Sequence, residues 1–374
     1  LLLFMKNTKF IVKTKNKSYP IYFGSDNLNM IGRLIKKNLP NVKKICIVSD
    51  NKLPKPLLKK IIALLKKYDL KIYKLIANEK NKSLTIANKI IERLLKDNFN
   101  RSDCVIALGG GVIGDLSAFI SNLTKRGLKF INIPTTLLAQ VDASIGGKTG
   151  INSNQGKNLI GTYYQPDFVL TDVSILKSLP QREIIAGYGE ILKHALILDK
   201  KFFLWLTKNG KIIINKQNNY YLKSAIIRSC KIKSKIVSKD EKEKNLRMVL
   251  NFGHTFAHGF ERATNFSKKL NHGEAVLIGM MIASELSVKK KLLPSKELSL
   301  IKKHYHDLKL PMNINKIFKK NQINKIIYFM KKDKKNLNEK INLILLNKIG
   351  KVNMRKKTLL SVKEIRKFLN SYYL

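Results

Sequence analysis

The sequence predicts an α/β protein with an N-terminal Rossmann-like, doubly wound domain followed by a mainly α-helical domain. Three observations favour this fold class. Up to about residue 180, short apolar runs alternate with amphipathic stretches, which is typical of parallel strands joined by helices. One of these runs leads directly into a cluster of glycines. Beyond Pro180, long segments with the apolar spacing of helices dominate. A length of 374 residues suits about two domains, which we place at 1–180 and 181–374.

The individual elements follow from the spacing of their apolar residues, because buried strands are short continuous apolar runs and helices repeat apolar residues every three or four positions. Ser83 is predicted as a helix N-cap, since its hydroxyl can accept a hydrogen bond from the first turn. The N-terminal elements are predicted as a strand at 43–50, a helix at 56–70, a strand at 71–77, a helix at 83–98, and strands at 104–111 and 129–134. The clearest C-terminal helices are REIIAGYGEILKHALIL, YYLKSAIIRSCKIKSKIVSKDEK and GEAVLIGMMIASELSVKKK.

The composition argues against a membrane-spanning or disulfide-rich protein. The apolar content is 44%, and the longest apolar runs are far shorter than the roughly 20 residues of a membrane span. Three cysteines without CxxC spacing fit a reducing compartment, so we expect a cytoplasmic protein. The opening LLLF has no basic flank and is a poor signal peptide, so we expect Met5 to be the true start.

The formal charge of +48 raises the question of a nucleic-acid partner. The excess is mostly lysine, is spread along the whole chain and accompanies many Ile and Asn residues, a pattern that codon drift in an AT-rich genome produces at tolerant surface positions. A nucleic-acid-binding protein would instead cluster arginine and aromatic residues along one element. We therefore predict no specific nucleic-acid partner, and we expect salt-dependent, non-specific binding to polyanions.

Two glycine-containing segments predict binding of a phosphorylated ligand. In IALGGGVIGDLSAFI, glycines lie between a strand and a helix, where the backbone can approach a pyrophosphate and the helix N-terminus offers N–H donors. A tight turn without a ligand is the alternative. Asp50, at the end of an earlier strand, is either an acceptor for a ribose hydroxyl or a helix cap. The segment 133–161 places polar and cationic side chains among glycines, an arrangement that suits an anionic ligand. These side chains are Thr135, Thr136, Asp142, Lys148, Asn152, Lys157 and Asn158.

The second domain contains six candidate metal ligands. Imidazole and carboxylate donors suit zinc or a similar divalent ion. His254 and His258 are one helical turn apart, so both rings can project from the same face. Residue chemistry alone does not rank the six, and each is also compatible with an ordinary helix position. They are Glu190, His194, His254, His258, His272 and Glu274.

Seven segments resemble the 3-dehydroquinate synthase family, which catalyses the second step of the shikimate pathway. The similarity is dense from about 104 to 285, returns at 333–336, and keeps order and spacing throughout. The segments are GGGVIGDLSAFI, RGLKFINIPTTLLAQVDASIGGKTGIN, GKNLIGTYYQPD, LPQREIIAGYGEILKHA, LRMVLNFGHTFAHGFE, NHGEAV and DKKN.

The resemblance implies functional residues position by position. The implied metal ligands, for zinc or cobalt, are Glu190, His254 and His272. The implied substrate-binding and catalytic residues are Asp142, Lys148, Asn158, Lys193, Lys233, Arg247, Asn251 and His258, with Arg126 reaching the substrate phosphate across a homodimer interface. The implied NAD contacts are Asp50, Glu79, Lys82, Gly111, Val112, Ile113, Gly114, Asp115, Thr135, Thr136, Lys148 and Lys157. Either Lys334 or Lys335 matches a further substrate-binding lysine.

The implied reaction is a carbon–oxygen lyase reaction that converts 3-deoxy-D-arabino-heptulosonate 7-phosphate into 3-dehydroquinate and phosphate. In the family, NAD accepts a hydride from a ring hydroxyl, phosphate is eliminated, the hydride is returned, and the ring opens and closes again by an aldol step. A metal ion polarises the hydroxyl, and His258 is the expected proton relay. Because the hydride is borrowed, no net redox change is expected.

A few positions depart from the family pattern. The family's acidic, glycine-containing stretch before Lys82 is replaced here by ANEKNKSL, which contains Glu79. Ala257 stands where the family usually has glycine, and Gly189 where it usually has alanine. Because the latter are exchanges between small residues, we expect the metal ligands beside them to keep their positions.

Other functions compete with this interpretation. A metal-dependent polyol or glycerol-phosphate dehydrogenase would share the fold but consume NAD, and GGKTGIN and GKNLIG argue against it. Related sugar-phosphate cyclases share the cofactor and metal residues. Only the resemblance at Lys233, Arg247 and Asn251 favours the carboxylated substrate of the shikimate pathway. A polyanion-binding protein is the remaining alternative, motivated by the charge alone.

Overall fold

The structure is a computed structural model that describes residues 8–216, 218–332, 340–353 and 358–373. Its chain contacts form two compact units. Unit 1 comprises the chain up to Pro180 together with Lys216–Lys242, and unit 2 comprises Gln181–Asn215 and the chain from Glu243 onward.

The helices and strands of the described residues are numbered in chain order. The strands are β1 (Thr8–Lys13), β2 (Ser18–Gly24), β3 (Lys44–Asp50), β4 (Asp69–Leu75), β5 (Cys104–Gly109), β6 (Lys129–Pro134), β7 (Ile151–Ser153), β8 (Gly156–Ile160), β9 (Phe168–Asp172), β10 (Lys340–Leu343), β11 (Leu346–Lys348), β12 (Lys351–Val352) and β13 (Thr358–Ser361). The helices are α1 (Ile31–Asn38), α2 (Lys55–Leu64), α3 (Leu84–Lys96), α4 (Gly111–Leu123), α5 (Gln181–Leu198), α6 (Lys200–Ile214), α7 (Asn219–Lys239), α8 (His254–Ala263), α9 (His272–Lys289), α10 (Ser295–Asp307), α11 (Ile323–Lys331) and α12 (Val362–Asn370).

Unit 1 is built on a seven-stranded, mostly parallel sheet with the strand order β1-β2-β9-β6-β5-β3-β4, in which only β1 runs antiparallel to its neighbour. Successive residues of a strand point to opposite faces. Accordingly, Ile47 of β3 packs into a core with α1 and α2, whereas Val48 packs into a second core with α3 and α4. Helices thus cover both faces of the sheet, and the predicted doubly wound fold is confirmed.

Most predicted elements of unit 1 agree with the structure within a few residues. The Ser83 hydroxyl accepts a hydrogen bond from the Ile86 N–H at 3.4 Å, which confirms the predicted N-cap. The helix predicted at 56–70 was too long, since α2 ends at Leu64. Asp69–Leu75 pairs along its full length with β3 in a parallel ladder. The last two residues of the predicted helix therefore belong to a strand. The strands β1, β2 and β9 and the hairpin β7–β8 were not predicted.

Unit 2 is mainly helical. It contains α5, α6 and α8 to α12, together with two small two-stranded sheets, β10–β13 and β11–β12. The domain range predicted from the sequence, 181–374, also included α7, which belongs to unit 1, where it packs against β1, β2 and the segment Ala139–Ala143. Among the described helices, none has the length and apolar character needed to cross a membrane.

Candidate functional site

The glycine cluster forms the connection from β5 to α4. Gly109 ends the strand, α4 begins at Gly111, and the N–H of Gly114 donates to the Gly110 carbonyl at 3.0 Å. The N–H groups of the preceding first turn, from Gly111 to Ile113, have no acceptor within the helix. A β-carbon on Gly110 would lie 3.2 Å from the methyl group of Thr136. This connection therefore has the backbone donors that a pyrophosphate group requires, and a glycine where a side chain would meet Thr136.

Asp50 lies beside this connection. It ends β3, which pairs directly with β5, and β3 is the strand where the order of the sheet changes direction. Dinucleotides bind at such a topological switch point, at the carboxyl ends of the strands. The Asp50 carboxylate accepts hydrogen bonds from the N–H groups of Lys52 and Ala77 at 3.1 and 3.2 Å. It is not a helix cap, because the N-cap of α2 is Pro54.

A polar network joins the remaining residues of the predicted NAD site. The ammonium group of Lys82 is buried and lies 2.5 Å from both Asp115 Oδ2 and Asn158 Oδ1. Lys157 Nζ lies 3.1 Å from Glu79 Oε1, and the side chain of Asn152 donates to Glu79 Oε2 at 2.8 Å. These contacts attach the β7–β8 hairpin to the segment that follows β4.

The pKa values of two carboxyl groups in this network are shifted in opposite directions. Burial raises the pKa of Asp115, and the neighbouring Lys82 offsets part of that effect. Burial also acts to raise the pKa of Glu79, but Lys157, Lys82 and Asn152 outweigh it, and the pKa of Glu79 lies below its usual value. Glu79 is therefore a fixed anion within the network despite the altered sequence around it.

Asp142 and Lys233 form an ion pair within unit 1. Asp142 lies in a short π-helical segment, Ala139–Ala143, a geometry that is frequent at functional sites. Lys233 is buried on α7, and its Nζ lies 2.7 Å from Asp142 Oδ1 and donates to the Asp142 carbonyl at 2.6 Å. This pair helps to explain why α7 packs with unit 1 although its sequence follows two helices of unit 2.

The other predicted substrate residues of unit 1 are exposed: Lys148, Asn158 and Arg126. Arg126 has a φ of 60°, and the preceding Lys125 has a φ of 51°. Two consecutive left-handed residues that are not glycine are energetically unfavourable, and such strain is typical of functional segments. The turn before β6 therefore holds the Arg126 backbone in an unusual conformation on the surface of unit 1.

Glu190, His254 and His272 come together in unit 2. Glu190 lies in the middle of α5, whereas His254 and His272 are the first residues of α8 and α9. Each offers one ligand atom, and the three atoms lie within 4.8 Å of one another, with His254 Nε2 3.6 Å from Glu190 Oε1. Bonds of about 2 Å to one divalent ion would bring such atoms roughly 3 to 4 Å apart. The three residues are therefore grouped closely enough that they could hold one metal ion.

The protonation and hydrogen bonding of these residues also fit a cation. Glu190 is fully buried, and neither of its oxygens accepts a hydrogen bond from the described residues, although the Lys193 ammonium makes ion-pair contact with Oε2. A buried carboxylate is costly unless cations compensate its charge, and Lys193 is one such cation. Burial, followed by the charges of Lys193, His272 and His258, lowers the pKa of His254 well below its usual value. The neutral imidazole that results is the form that binds metals.

The remaining candidate ligands have other surroundings. His258 lies beside His254, with the ring centroids 5.7 Å apart. Glu274 caps α9 through a capping box with Asn271 and accepts two hydrogen bonds from Arg182 at 2.6 Å each. His194 is buried in α5.

The structure adds two acidic residues that the sequence analysis missed. The carboxylate of Glu243 accepts a hydrogen bond from the Asn251 side chain at 2.8 Å. Glu261 lies 3.3 Å from the ring of His272. Glu243 stands in a segment of alternating charges, where no sequence pattern distinguishes it. Glu261 follows His254 by seven residues, or two helical turns, and this spacing could have indicated that the two residues share a helix face. The buried Arg247 lies in the turn before Asn251, and Lys334 and Lys335 are outside the described residues.

Comparisons with known proteins show which family the chain is similar to. Models of the 3-dehydroquinate synthase N-terminal and C-terminal parts match residues 72–186 and 187–336. A 3-dehydroquinate synthase of Pelagibacter ubique is 50% identical over 342 residues, which cover 91% of this chain and 93% of that protein. A 2-epi-5-epi-valiolone synthase from Streptomyces hygroscopicus with NAD+ and Zn2+ bound has a TM-score of 0.84 at 25% identity, covering 96% of this chain and 98% of that chain. A 2-deoxy-scyllo-inosose synthase in complex with carbaglucose-6-phosphate, NAD+ and Co2+ shares the fold, with a TM-score of 0.87 at 24% identity over 97% of this chain and 100% of that chain.

Proposed function

The chain belongs to the 3-dehydroquinate synthase family and has that family's activity in the shikimate pathway, and we propose that it acts with NAD and one divalent metal ion held by its own residues. The observation that carries this proposal is the cluster of Glu190, His254 and His272, whose ligand atoms lie within 4.8 Å of one another around a fully buried carboxylate. The substrate is 3-deoxy-D-arabino-heptulosonate 7-phosphate, and the products are 3-dehydroquinate and phosphate.

NAD would bind at the carboxyl ends of β3 and β5. The first-turn N–H groups of α4 would bind its pyrophosphate, and Asp50 and Glu79 would accept from its hydroxyl groups. Thr135 and Thr136 follow the adjacent strand β6. Lys82 holds Asp115 and Asn158 in place by its short contacts. When bound, NAD supplies a hydride acceptor that later returns the hydride, which is why no net redox change is expected.

Zinc or cobalt would bind to Glu190, His254 and His272. These three protein ligands leave coordination positions for a substrate oxygen, as in catalytic zinc sites. The ion supplies Lewis-acid polarisation of the hydroxyl group that is oxidised and of the ketone that forms. His258, one turn after His254 on the same helix, is the group proposed to take and return protons.

The substrate carries a carboxylate and a phosphate, so its site requires cations. The residues proposed to supply them are those that the resemblance implies: Lys148, Lys193, Lys233 and Arg247. The hydroxyl groups are proposed to bind Asp142, Asn158 and Asn251. Two of these residues are already oriented by other side chains, Asp142 by Lys233 and Asn251 by Glu243.

A homodimer and a cytoplasmic location complete the proposal. Arg126 would serve the site of a second subunit, in keeping with its exposure and its strained turn. The three cysteines are unpaired, buried thiols, as expected in a reducing compartment.

The proposed reaction is tested by following phosphate release and NADH absorbance together, with substrate, NAD and zinc or cobalt. We expect phosphate release without accumulating NADH, and loss of activity with a chelator. His254→Ala should abolish phosphate release, whereas the matched control His306→Ala, which changes an exposed histidine, should retain it. Steady NADH accumulation without phosphate would instead identify a dehydrogenase.

A further inference from the structure

Glu261 has no role in the proposed reaction, yet it is a buried acidic residue aimed at a proposed metal ligand. It is 4% exposed and lies on α8, two helical turns after His254. Its Oε2 lies 3.3 Å from Nδ1 of His272, the first residue of α9. One helix of unit 2 therefore carries both a ligand and a carboxylate that contacts the next ligand.

Both histidines have an oxygen atom beside Nδ1. Nδ1 of His254 lies 3.2 Å from the Phe252 carbonyl, and Nδ1 of His272 lies beside Glu261. A neutral imidazole carries a single proton, on one of its two nitrogens. An oxygen acceptor at Nδ1 keeps the proton there and leaves the lone pair of Nε2 for a cation.

The acceptor of His272 is the stronger of the two. A carboxylate forms a charge-assisted hydrogen bond, which is roughly twice as strong as one to a neutral acceptor. His272 also needs this contact more, because its side chain is 35% exposed, compared with 13% for His254. A less enclosed ring has more freedom to rotate away from the ligand geometry.

We propose that Glu261 is a positioning residue of the metal site: it holds His272 in the tautomer and orientation that present Nε2 to the ion. This inference rests on the proposed metal centre, since it gives Glu261 its role through the ligand. A carboxylate that accepts from a ligating histidine typically contributes 10- to 100-fold in metal affinity.

The test is the dissociation constant for Co2+ and Zn2+, measured on the metal-free full chain by competition with a chromophoric chelator. Glu261→Ala should raise the dissociation constant about 10- to 100-fold. Glu261→Gln should have a smaller effect, because its amide oxygen still accepts a hydrogen bond. The control Glu297→Gln changes a carboxylate of the same unit that accepts from the Ile349 N–H and contacts Lys200, and it should leave metal affinity unchanged.

Two further measurements separate positioning from a general structural role. The absorption spectrum of bound Co2+ should change in Glu261→Ala, because the ligand geometry changes. The thermal unfolding midpoint of the metal-free variants should fall no more than that of the control. If the metal-free midpoint falls while the dissociation constant and the spectrum stay unchanged, Glu261 only joins two helices and the inference is wrong.

The outcome for the wild type distinguishes this inference from the proposal on which it rests. If the wild type binds the ion, His254→Ala abolishes binding and both Glu261 variants bind like the wild type, the metal centre stands and the role of Glu261 is refuted. If the wild type binds neither ion, the metal centre itself is wrong. Should Glu261→Ala not fold, the Gln variant and its Co2+ spectrum decide the question.

Discussion

Gly273 lies directly against Ala186, and this contact brings two helices with proposed metal ligands together. A β-carbon on Gly273 would lie 2.2 Å from the Ala186 Cα and 2.5 Å from its carbonyl oxygen. Ala186 precedes Glu190 by one turn on α5, and Gly273 follows His272 on α9. The distance between the Glu190 carboxylate and the His272 ring therefore depends on a residue without a side chain at position 273.

Gly273→Ala is expected to destabilise unit 2 and to weaken metal binding. The added methyl group meets backbone atoms, which cannot move aside as a side chain can, so we expect a loss of about 3 kcal/mol in the free energy of unfolding. Denaturant unfolding of the metal-free chain measures this loss, and chelator competition measures the metal affinity.

Gly189→Ala is the matched control. Its β-carbon would lie 3.1 Å from Cγ of Leu277, a side chain that can shift, and 3.3 Å from the Gly273 carbonyl oxygen. Alanine also favours a helix over glycine by about 1 kcal/mol. We expect this variant to stay within about 1 kcal/mol of the wild type. Equal losses in the two variants would show that the close contact at Gly273 is not what sets the helix spacing.

The sequence allowed the elements and the ligand types to be predicted, but not the partners that orient them. Ser83 was identified as a cap because the signal is local, only three residues from its partner Ile86. The spacing of apolar residues likewise predicts a helix over 220–242, close to the observed Asn219–Lys239, but it does not say against what that helix packs. Its attachment to unit 1 involves Lys233 and Asp142, which are 91 residues apart. Such pairings depend on the whole fold, and in a chain with so many lysines no single lysine stands out.

The buried pair of Tyr188 and His304 predicts a loss of stability in mild acid. The Tyr188 hydroxyl lies 2.9 Å from His304 Nε2, and burial lowers the pKa of His304 to about 4. An unfolded chain has an ordinary histidine, with a pKa near 6.5. Above that pH both states are neutral, and below it the unfolded chain takes up the proton first. The contribution of His304 to the free energy of unfolding should therefore fall by roughly 3 kcal/mol between pH 6.5 and 4.

The measurement is the free energy of unfolding of each variant, obtained by denaturant unfolding at several values between about pH 7 and pH 4. The variants are compared by how steeply this free energy changes with pH. His304→Gln keeps a polar side chain beside Tyr188 but cannot titrate, so its unfolding free energy should fall less steeply with decreasing pH. His306→Gln changes an exposed histidine on the same helix and should keep the wild-type slope. If His304→Gln also keeps that slope, His304 is not the group that titrates.

The +48 charge should produce polyanion binding that depends on salt and not on sequence. The net charge attracts DNA at low ionic strength. Contacts to exposed lysines weaken steeply as salt rises, because releasing condensed counterions into a more concentrated solution gains less free energy. In a mobility-shift titration, we expect binding to duplex DNA at about 20 mM salt and little binding at about 150 mM. Two duplexes of different sequence should bind equally at low salt. Tight binding at about 150 mM that distinguishes the two duplexes would mean that the charge serves a nucleic-acid partner.

Lys82 and Lys157 offer a comparison between a buried and a half-exposed lysine of the proposed NAD site. Removing one partner of a buried ion pair leaves the other charge without compensation, which typically costs about 3 to 5 kcal/mol. Lys82 is 3% exposed, but its partner Asp115 is 25% exposed at the side chain, so we expect Lys82→Met to cost about 2 to 3 kcal/mol. Lys157 and Glu79 are 22% and 38% exposed at the side chain, and Lys157→Met should cost less than about 1 kcal/mol.

The two variants should also differ in how they change NAD binding, which isothermal titration of the full chain measures. Lys82→Met removes the contacts that fix Asp115 and Asn158, so both stability and NAD affinity should fall. Lys157→Met should reduce NAD affinity with little loss of stability, because its role is proposed to be direct contact with the nucleotide. If Lys82→Met binds NAD like the wild type while losing the expected stability, the pair of Lys82 and Asp115 supports the fold of unit 1 and does not form part of the nucleotide site.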